Sequence, residues 1–324
     1  PMSTRIVPAL AAAVSLLVAA SALAEPDARD WLERMSAAMS QMDYQGTFVY
    51  VQGDDVVTMR ITHVADEAGV RERLVSMSGA PREIIRDSNG VRWVLGDDHS
   101  VLADQPFNRS FFPQLPLDQH DATEQCYALQ LGGNGRIAGR PVRGIRVLPR
   151  DDYRYGYTLW LEERSALLLK WELVDHQRKP LARLMFTDFR VGSEVDAGEL
   201  DPSSQLNKFR TVESSLPSGH GQASDPPRWK PRVLPPGFQL TAHRFFGRQD
   251  RGIFEHLVYS DGLAAVSVYV ESDGELAEQK TGLSRMGTTH AFSRFSDDVM
   301  ITVIGDVPEA TVRYIGDAVA RVTP

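Results

Sequence analysis

The stretch Thr47-Phe48-Val49-Tyr50-Val51-Gln52-Gly53-Asp54-Asp55-Val56-Val57-Thr58-Met59-Arg60-Ile61-Thr62-His63-Val64 decides the fold. Two runs rich in β-branched and aromatic residues flank Gly53-Asp54, a pair suited to a tight turn, so Thr47 to Gln52 and Val56 to Val64 read as a β-hairpin. The pattern continues C-terminally with Val70 to Met77, Arg82 to Asp87 and Val91 to Leu95, separated by Ala68-Gly69, Gly79-Ala80-Pro81 and Asn89-Gly90. Strands joined by turns this short are antiparallel neighbours. A second group extends the meander: Tyr127 to Leu131, Gly135 to Ile137, Val142 to Leu148, Tyr155 to Leu161, Leu167 to Val174 and Leu181 to Phe189. On the N-terminal side, Trp31, Leu32, Met35, Ala38, Met39 and Met42 recur at helical spacing, so Pro26 to Met42 forms one amphipathic helix. About eleven strands against one helix make a sheet that must curl, because strand twist accumulates across its width.

The chain has 324 residues, of which 42% are hydrophobic and 24% charged, and a single cysteine. This is ample material for a packed core and excludes a disordered or disulfide-stapled protein. A net charge of −8 provides no global positive field for a polyanion, which argues against nucleic-acid binding. From Asp201 to Lys230 the composition shifts to Pro, Ser, Gly, Asn and Gln, the mark of a linker or strap. Beyond it, Phe238 to Phe246, Phe254 to Ser260, Leu263 to Glu271, Thr288 to Phe295 and Val299 to Ile304 read as strands. A helix opens at Pro308 with Val312, Ile315, Val319 and Val322 on its buried side. The fold class is α+β: a large curled antiparallel sheet on a helix, then a smaller α+β domain.

Pro1 precedes Met2 and is set aside. Met2 to Ala24 has one basic residue, Arg5, then an apolar run to Ala20, then Ala22-Leu23-Ala24, a small-x-small pattern that a signal peptidase cuts after Ala24. The run is interrupted by Pro8 and Ser15 and is short for a membrane span. The expectation is an exported chain beginning at Glu25. Cys126 has no partner within the chain and reads as a buried small hydrophobe.

The chemistry-bearing patterns are missing: there is no G-x-S-x-G, H-E-x-x-H, C-x-x-C, Walker loop or dinucleotide fingerprint. Gly132-Gly133-Asn134-Gly135 has no Lys-Ser/Thr ending and reads as a tight turn. The eight histidines are scattered, and the adjacent acidic pairs fall in turns or face opposite sides of a strand, so no catalytic residue, cofactor or metal is expected. Two features remain. Phe107, Phe111 and Phe112 crowd a Pro-broken loop, where they either cover an edge of the core or form an apolar lip over a cavity. Tyr153, Tyr155 and Tyr157 alternate as residues sharing one strand face do, beside Arg150 and Arg154. They either pair across strands or line an amphipathic site whose arginines meet an anionic headgroup or carboxylate.

Several stretches together resemble the RseB/MucB family. They are Trp31-Leu32-Glu33-Arg34-Met35, Tyr44-Gln45-Gly46-Thr47-Phe48-Val49-Tyr50, Gly69-Val70-Arg71-Glu72-Arg73-Leu74, Pro81-Arg82-Glu83-Ile84-Ile85-Arg86, Pro149-Arg150-Asp151-Asp152-Tyr153-Arg154-Tyr155-Gly156-Tyr157, Leu234-Pro235-Pro236-Gly237-Phe238 and Tyr259-Ser260-Asp261-Gly262-Leu263-Ala264-Ala265-Val266-Ser267-Val268. The resemblance implies a non-catalytic periplasmic negative regulator that binds the periplasmic part of a membrane anti-sigma factor and shields it from a protease. Lipopolysaccharide or another acyl lipid then releases it. It further implies a half-barrel similar to LolA/LolB-type carriers. The division expected is a signal peptide over 1–24, a lipid-sensing half-barrel over 25–200, a linker over 201–230 and an anti-sigma-binding domain over 231–324. A lipid or lipoprotein carrier is the competing reading, and a homo-oligomer is left open. The hairpin Phe254 to Glu271 is expected to be exposed, with Tyr259, Leu263 and Tyr269 either anchoring the partner or packing the small core.

Overall fold

The structure is a computed structural model, and it describes residues 26–67, 69–79, 82–88, 90–95, 100–103, 112, 125–192, 195–201, 210–212, 226–248, 252–271, 281–296 and 298–322. Helix α1, Ala28–Gln41, opens the described chain. Its start is dictated locally: the Asp27 carboxylate accepts from the Arg29 and Asp30 amides at 2.8 and 2.9 Å, while the Asp30 carboxylate accepts from the Asp27 amide at 3.0 Å. This reciprocal cap satisfies amides that the first helical turn leaves without partners.

Twelve strands follow in one sheet. They are β1 (Tyr44–Gln52), β2 (Asp55–Asp66), β3 (Gly69–Ser76), β4 (Arg82–Asp87), β5 (Gly90–Leu95), β6 (Ser100–Ala103), β7 (Tyr127–Ile137), β8 (Arg140–Pro149), β9 (Gly156–Glu162), β10 (Leu168–Val174), β11 (Pro180–Val191) and β12 (Arg210–Val212). Their spatial order is β12-β6-β5-β4-β3-β2-β1-β11-β10-β9-β8-β7. The sheet is open, and every pairing is antiparallel except β12 on β6. Helix α1 touches β2 and also β7 and β8, although four strands separate β2 from β8. One helix reaches both only because the sheet wraps around it.

The wrapped face holds the main core. From α1 come Trp31, Leu32, Met35 and Ala38; from the sheet come Phe48, Ile61, Leu159, Leu161, Leu184 and Phe186. Phe48 meets Phe186 edge-on at 5.5 Å, and Phe112 stacks on Phe186 at 6.1 Å.

The second unit has β13 (Trp229–Pro231), β14 (Gln239–Arg248), β15 (Gly252–Ser260), β16 (Ala265–Glu271), β17 (Gly282–Met286), β18 (Thr289–Ser296), β19 (Val299–Gly305), helix α2 (Glu309–Ala318) and β20 (Val319–Arg321). Six of these strands form a sheet in the order β14-β15-β16-β19-β18-β17, and β13 pairs with β20. Val312 and Ile315 of α2 pack with Leu257, Val268, Ile301 and Val303 from the sheet.

Four sequence expectations are corrected here. Gly132 to Gly135 is no turn: β7 runs through it with a bulge between Leu131 and Asn134. The glycines serve a close approach, since a Cβ on Gly144 of β8 would lie 2.8 Å from the Gly133 carbonyl oxygen. The strap contributes Arg210–Val212 to the sheet edge as β12. The hairpin from 254 to 271 is interior, because β15 lies between β14 and β16, and β16 between β15 and β19. The last helix stops at Ala318, and Val319 begins a strand instead of a further turn.

Replacing Phe186, which is 1% exposed and joins the Phe48 and Phe112 rings, should cost about 3–5 kcal/mol on truncation to Ala. Urea unfolding followed by tryptophan fluorescence measures this, and a loss under about 1 kcal/mol would show that the ring cluster does not hold the curled sheet.

Candidate functional site

The two sheets meet on one buried guanidinium. Strand β8 ends at Pro149, and the turn that follows is shaped by Asp151, whose carboxylate accepts from the Tyr153 amide and from Arg154 Nε, both at 3.0 Å. That turn aims Arg154 out of the first unit and into the second. Its side chain is fully buried. Nη1 donates to Asp261 Oδ2 at 2.5 Å and Nη2 donates to the Pro236 carbonyl at 2.6 Å. The guanidinium also lies 5.4 Å from the Tyr127 ring centre and 5.2 Å from that of Phe238, within range of cation–π attraction.

Asp261 occupies the turn between β15 and β16 and is as completely enclosed as its partner. Its Oδ1 accepts from the amides of Leu263 and Ala264 at 2.9 and 2.7 Å, and its Oδ2 also accepts from the Tyr127 hydroxyl at 2.9 Å. A carboxylate with four donors and a guanidinium with three acceptors form a satisfied network, which buried charges require. Burial alone would lower the pKa of Arg154, but the adjacent Asp261 charge outweighs it and keeps the guanidinium protonated. Burial and then the Asp261 charge hold the Tyr127 hydroxyl far above its usual range. Cys126 closes the cluster, donating to the Pro236 carbonyl at 3.5 Å; burial pushes its thiol up and keeps it unreactive. The left-handed Gly237, at φ +81°, is needed at this point, because a Cβ there would lie 2.5 Å from Cys126 Sγ.

Further contacts run along the seam. Thr311 of α2 donates its hydroxyl to the Tyr153 carbonyl at 2.6 Å, and the Tyr153 ring lies 5.0 Å from that of Tyr314. Gln52 at the end of β1 donates to Thr288 Oγ1 at 2.5 Å, and Thr288 donates to Asp306 at 3.1 Å. Leu263 packs against the core of the first sheet.

The structure divides the residues singled out from sequence. Tyr153 and Arg154 precede β9, so the three tyrosines do not share one strand face: Tyr153 belongs to the seam, whereas Tyr157 faces inward and meets Trp171 edge-on at 6.2 Å. Tyr155 is buried between them. Arg154 is enclosed and bonded on all three nitrogens, out of reach of a headgroup in this arrangement. Arg150 is exposed, with Nε donating to the Tyr127 carbonyl at 3.2 Å. Phe112 is part of the core, so a charge there would disturb the fold. Phe107 and Phe111 lie outside the described residues. Tyr259 is buried in the second core, Leu263 sits at the seam, and Tyr269 lies on the other face of the second sheet, stacked on His256 at 4.4 Å. Sequence reasoning passed over Asp261, Pro236 and Tyr127. A 107-residue separation between the two charges leaves no local pattern to read. Among the described residues no three His, Cys, Asp or Glu side chains group as a metal ion needs.

Comparison with known proteins adds to this geometry. The family model for the MucB/RseB N-terminal domain matches residues 27–204, and that for the MucB/RseB C-terminal domain matches residues 223–320. The chain is 33% identical to the sigma factor AlgU regulatory protein MucB of Pseudomonas aeruginosa over 308 residues, 92% of each chain. It is 25% identical to the sigma-E factor regulatory protein RseB of Escherichia coli, over 94% of this chain and 93% of that one. A crystal structure of MucB in complex with the periplasmic part of MucA superposes with a TM-score of 0.73 at 29% identity, covering 92% of this chain and 100% of that one. For a crystal structure of MucB the TM-score is 0.65 at 28% identity, over 91% and 98%.

Two outcomes follow from the seam and the second sheet. Asp261→Asn leaves the buried Arg154 charge with only the partly exposed Asp151 carboxylate and should destabilise by about 3–5 kcal/mol, while Arg154→Met with Asp261→Leu should recover much of that. Guanidinium unfolding of the three variants measures it, and a single variant as stable as the parent would deny the pair its role. Burial lowers the His256 pKa to about 4 from 6.5, helped by the Arg244 charge. The unfolded chain therefore takes up this proton first, and the contribution is intact above about 6.5 and is lost as pH falls toward 4. Between pH 7 and pH 4.5 the parent should lose more melting temperature than His256→Phe does; equal acid sensitivity in both would contradict this.

Proposed function

The chain belongs to the MucB/RseB family, and from that premise we propose that it is a non-catalytic periplasmic regulator of a sigma factor that binds the periplasmic part of a membrane anti-sigma factor. The observation that carries this reading is the superposition, over nearly the whole length of both chains, on MucB in complex with the periplasmic part of MucA. In this reading Met2 to Ala24 is a cleaved signal, the bound partner is shielded from proteolysis, and lipopolysaccharide or another acyl lipid ends the complex. A lipid or lipoprotein carrier would need only the curled sheet, whereas the family match extends through the second unit to residue 320.

The mechanism follows from the seam. An extended partner segment that lies against both units gains surface that neither offers alone, provided they are held in one arrangement. The Arg154–Asp261 pair, Thr311 and Gln52 hold them so. The TM-score of 0.73 against the MucA complex, compared with 0.65 against MucB, supports reading this arrangement as the one the partner selects. Lipid entering the face that holds Tyr50, Tyr157 and Trp171 acts on the same structure from the inner side of β1, β9 and β10. If lipid favours a different arrangement, lipid and partner weaken each other's binding by the same factor.

Calorimetric titration of the protein with the periplasmic fragment of the anti-sigma factor tests this. Binding is expected, at least tenfold weaker with lipopolysaccharide present. Equal affinity with and without lipopolysaccharide would contradict the release step, and no binding would contradict the regulator reading.

A further inference from the structure

Among the described residues no α-helix lies on the sheet face turned away from α1, and the 3-10 helix Ala197–Leu200 meets that face at β2 and β3. Register places Val49, Met185, Lys170 and Trp160 in one row across β1, β11, β10 and β9. The adjacent row runs from Val56 and Val51 through Arg183, Glu172 and Thr158 to Arg146 of β8. Val56 is 61% exposed and Met185 41%. Lys170 Nζ lies 4.0 Å above the Trp160 ring and 2.9 Å from Glu172. Arg146, Arg183 and Arg190 are exposed and have no hydrogen bond or ion pair among the described residues.

Along the outward rows of β8, β10 and β11, Arg146, Lys170, Arg183 and Arg190 stand against Glu172 and Asp188, a net +2, although the whole chain carries −8. Guanidiniums without counter-ions, set among exposed aliphatic side chains, fit an anionic and apolar partner. The face belongs to interior strands whose backbone is already paired, so it offers no free edge for an added strand. It is the convex side of the wrapped sheet, opposite the concave face that holds the core. Such a surface suits a fluid interface that needs charge and shallow apolar contact but no complementary relief.

We propose that the outer face of β1, β8, β9, β10 and β11 is a peripheral docking surface for an anionic lipid bilayer, with Arg146, Arg183 and Arg190 on the headgroup phosphates and Val56 and Met185 at headgroup depth. Trp160 under Lys170 matches the aromatic and cationic pairing found at membrane–water boundaries. The proposal rests on the regulator reading only in placing the chain beside a membrane. It orients the wrapped face and the seam away from the lipid plane, where a partner rising from the membrane can reach them. The electrostatic part is screened by salt, so docking is reversible.

Co-sedimentation of the full chain with vesicles, without any anti-sigma fragment, tests it. Vesicles of phosphatidylglycerol and phosphatidylethanolamine should bind the chain at low salt and release it at about 0.5 M salt, where screening is nearly complete beyond a few ångströms. Phosphatidylcholine vesicles should not bind it. Each basic residue near an anionic surface contributes about fivefold, so Arg146→Glu, Arg183→Glu and Arg190→Glu together should weaken binding at least about 100-fold with the circular dichroism spectrum unchanged. A control with the same charge change elsewhere, Arg232→Glu, Arg244→Glu and Arg321→Glu, should bind as the parent does. Equal loss in the control would reduce the effect to net charge and overturn the surface. Vesicle binding unchanged in the first variant would also overturn it, and loss of affinity for the anti-sigma fragment in that variant would identify a protein-docking face instead.

Discussion

A guanidinium and a carboxylate removed from water together, Arg154 and Asp261, fix how the two sheets of this protein stand against each other. Neither charge is tolerable alone at that depth, so the pair forms only when both units are folded and correctly placed. Every neighbour contributes to the same end. Asp151 sets the rotation of Arg154, the turn amides of Leu263 and Ala264 fix Asp261, and Pro236 brings the chain entering the second sheet to the third donor. Because both charges are buried and bonded within the protein, the network acts as a latch between units and is closed to a ligand. In the proposed function, ligand and partner are met by surfaces that the latch positions.

The first of those surfaces depends on the curl. A twelve-stranded sheet wrapped on one helix has an apolar inner face and a more polar outer face, met at β2 and β3 by the 3-10 helix Ala197–Leu200, and both faces follow from the alternation along β1 and β11. Tyr44, Phe48 and Tyr50 point in, and Gln45, Val49 and Val51 point out. A one-residue slip of either central strand would exchange the two faces, so the Phe48–Phe186 contact sets register as well as core volume.

How much of this was legible in the sequence depends on whether the signal was local. Strand periodicity and Gly-containing turns gave β1 to β5 and β8 to β11 with their antiparallel order, and the i, i+4 stripe from Trp31 to Met42 gave α1. Short strands such as β12, β13 and β20 escaped because three residues carry no period, and their pairing comes from neighbours distant in the chain. The glycines of β7 were misread because a close backbone approach and a turn both favour residues without a Cβ. Tyrosine alternation at 153, 155 and 157 suggested one face, yet the strand starts only at Gly156. The latch itself could not be read. Arg154 and Asp261 are ordinary turn residues in sequence, and only the tertiary fold gives them to each other.

The central claim is that the latch holds the two units in a single arrangement. Spin labels on cysteines introduced at the exposed positions Asp188 of β11 and Met286 of β17 report it directly, since Cys126 is buried and stays unlabelled. Double electron–electron resonance should give one narrow distance distribution for the labelled parent, and a broadened or multimodal one once Asp261→Asn is added. The same narrow distribution in both would contradict the account, because the arrangement would then be held by something other than the buried pair.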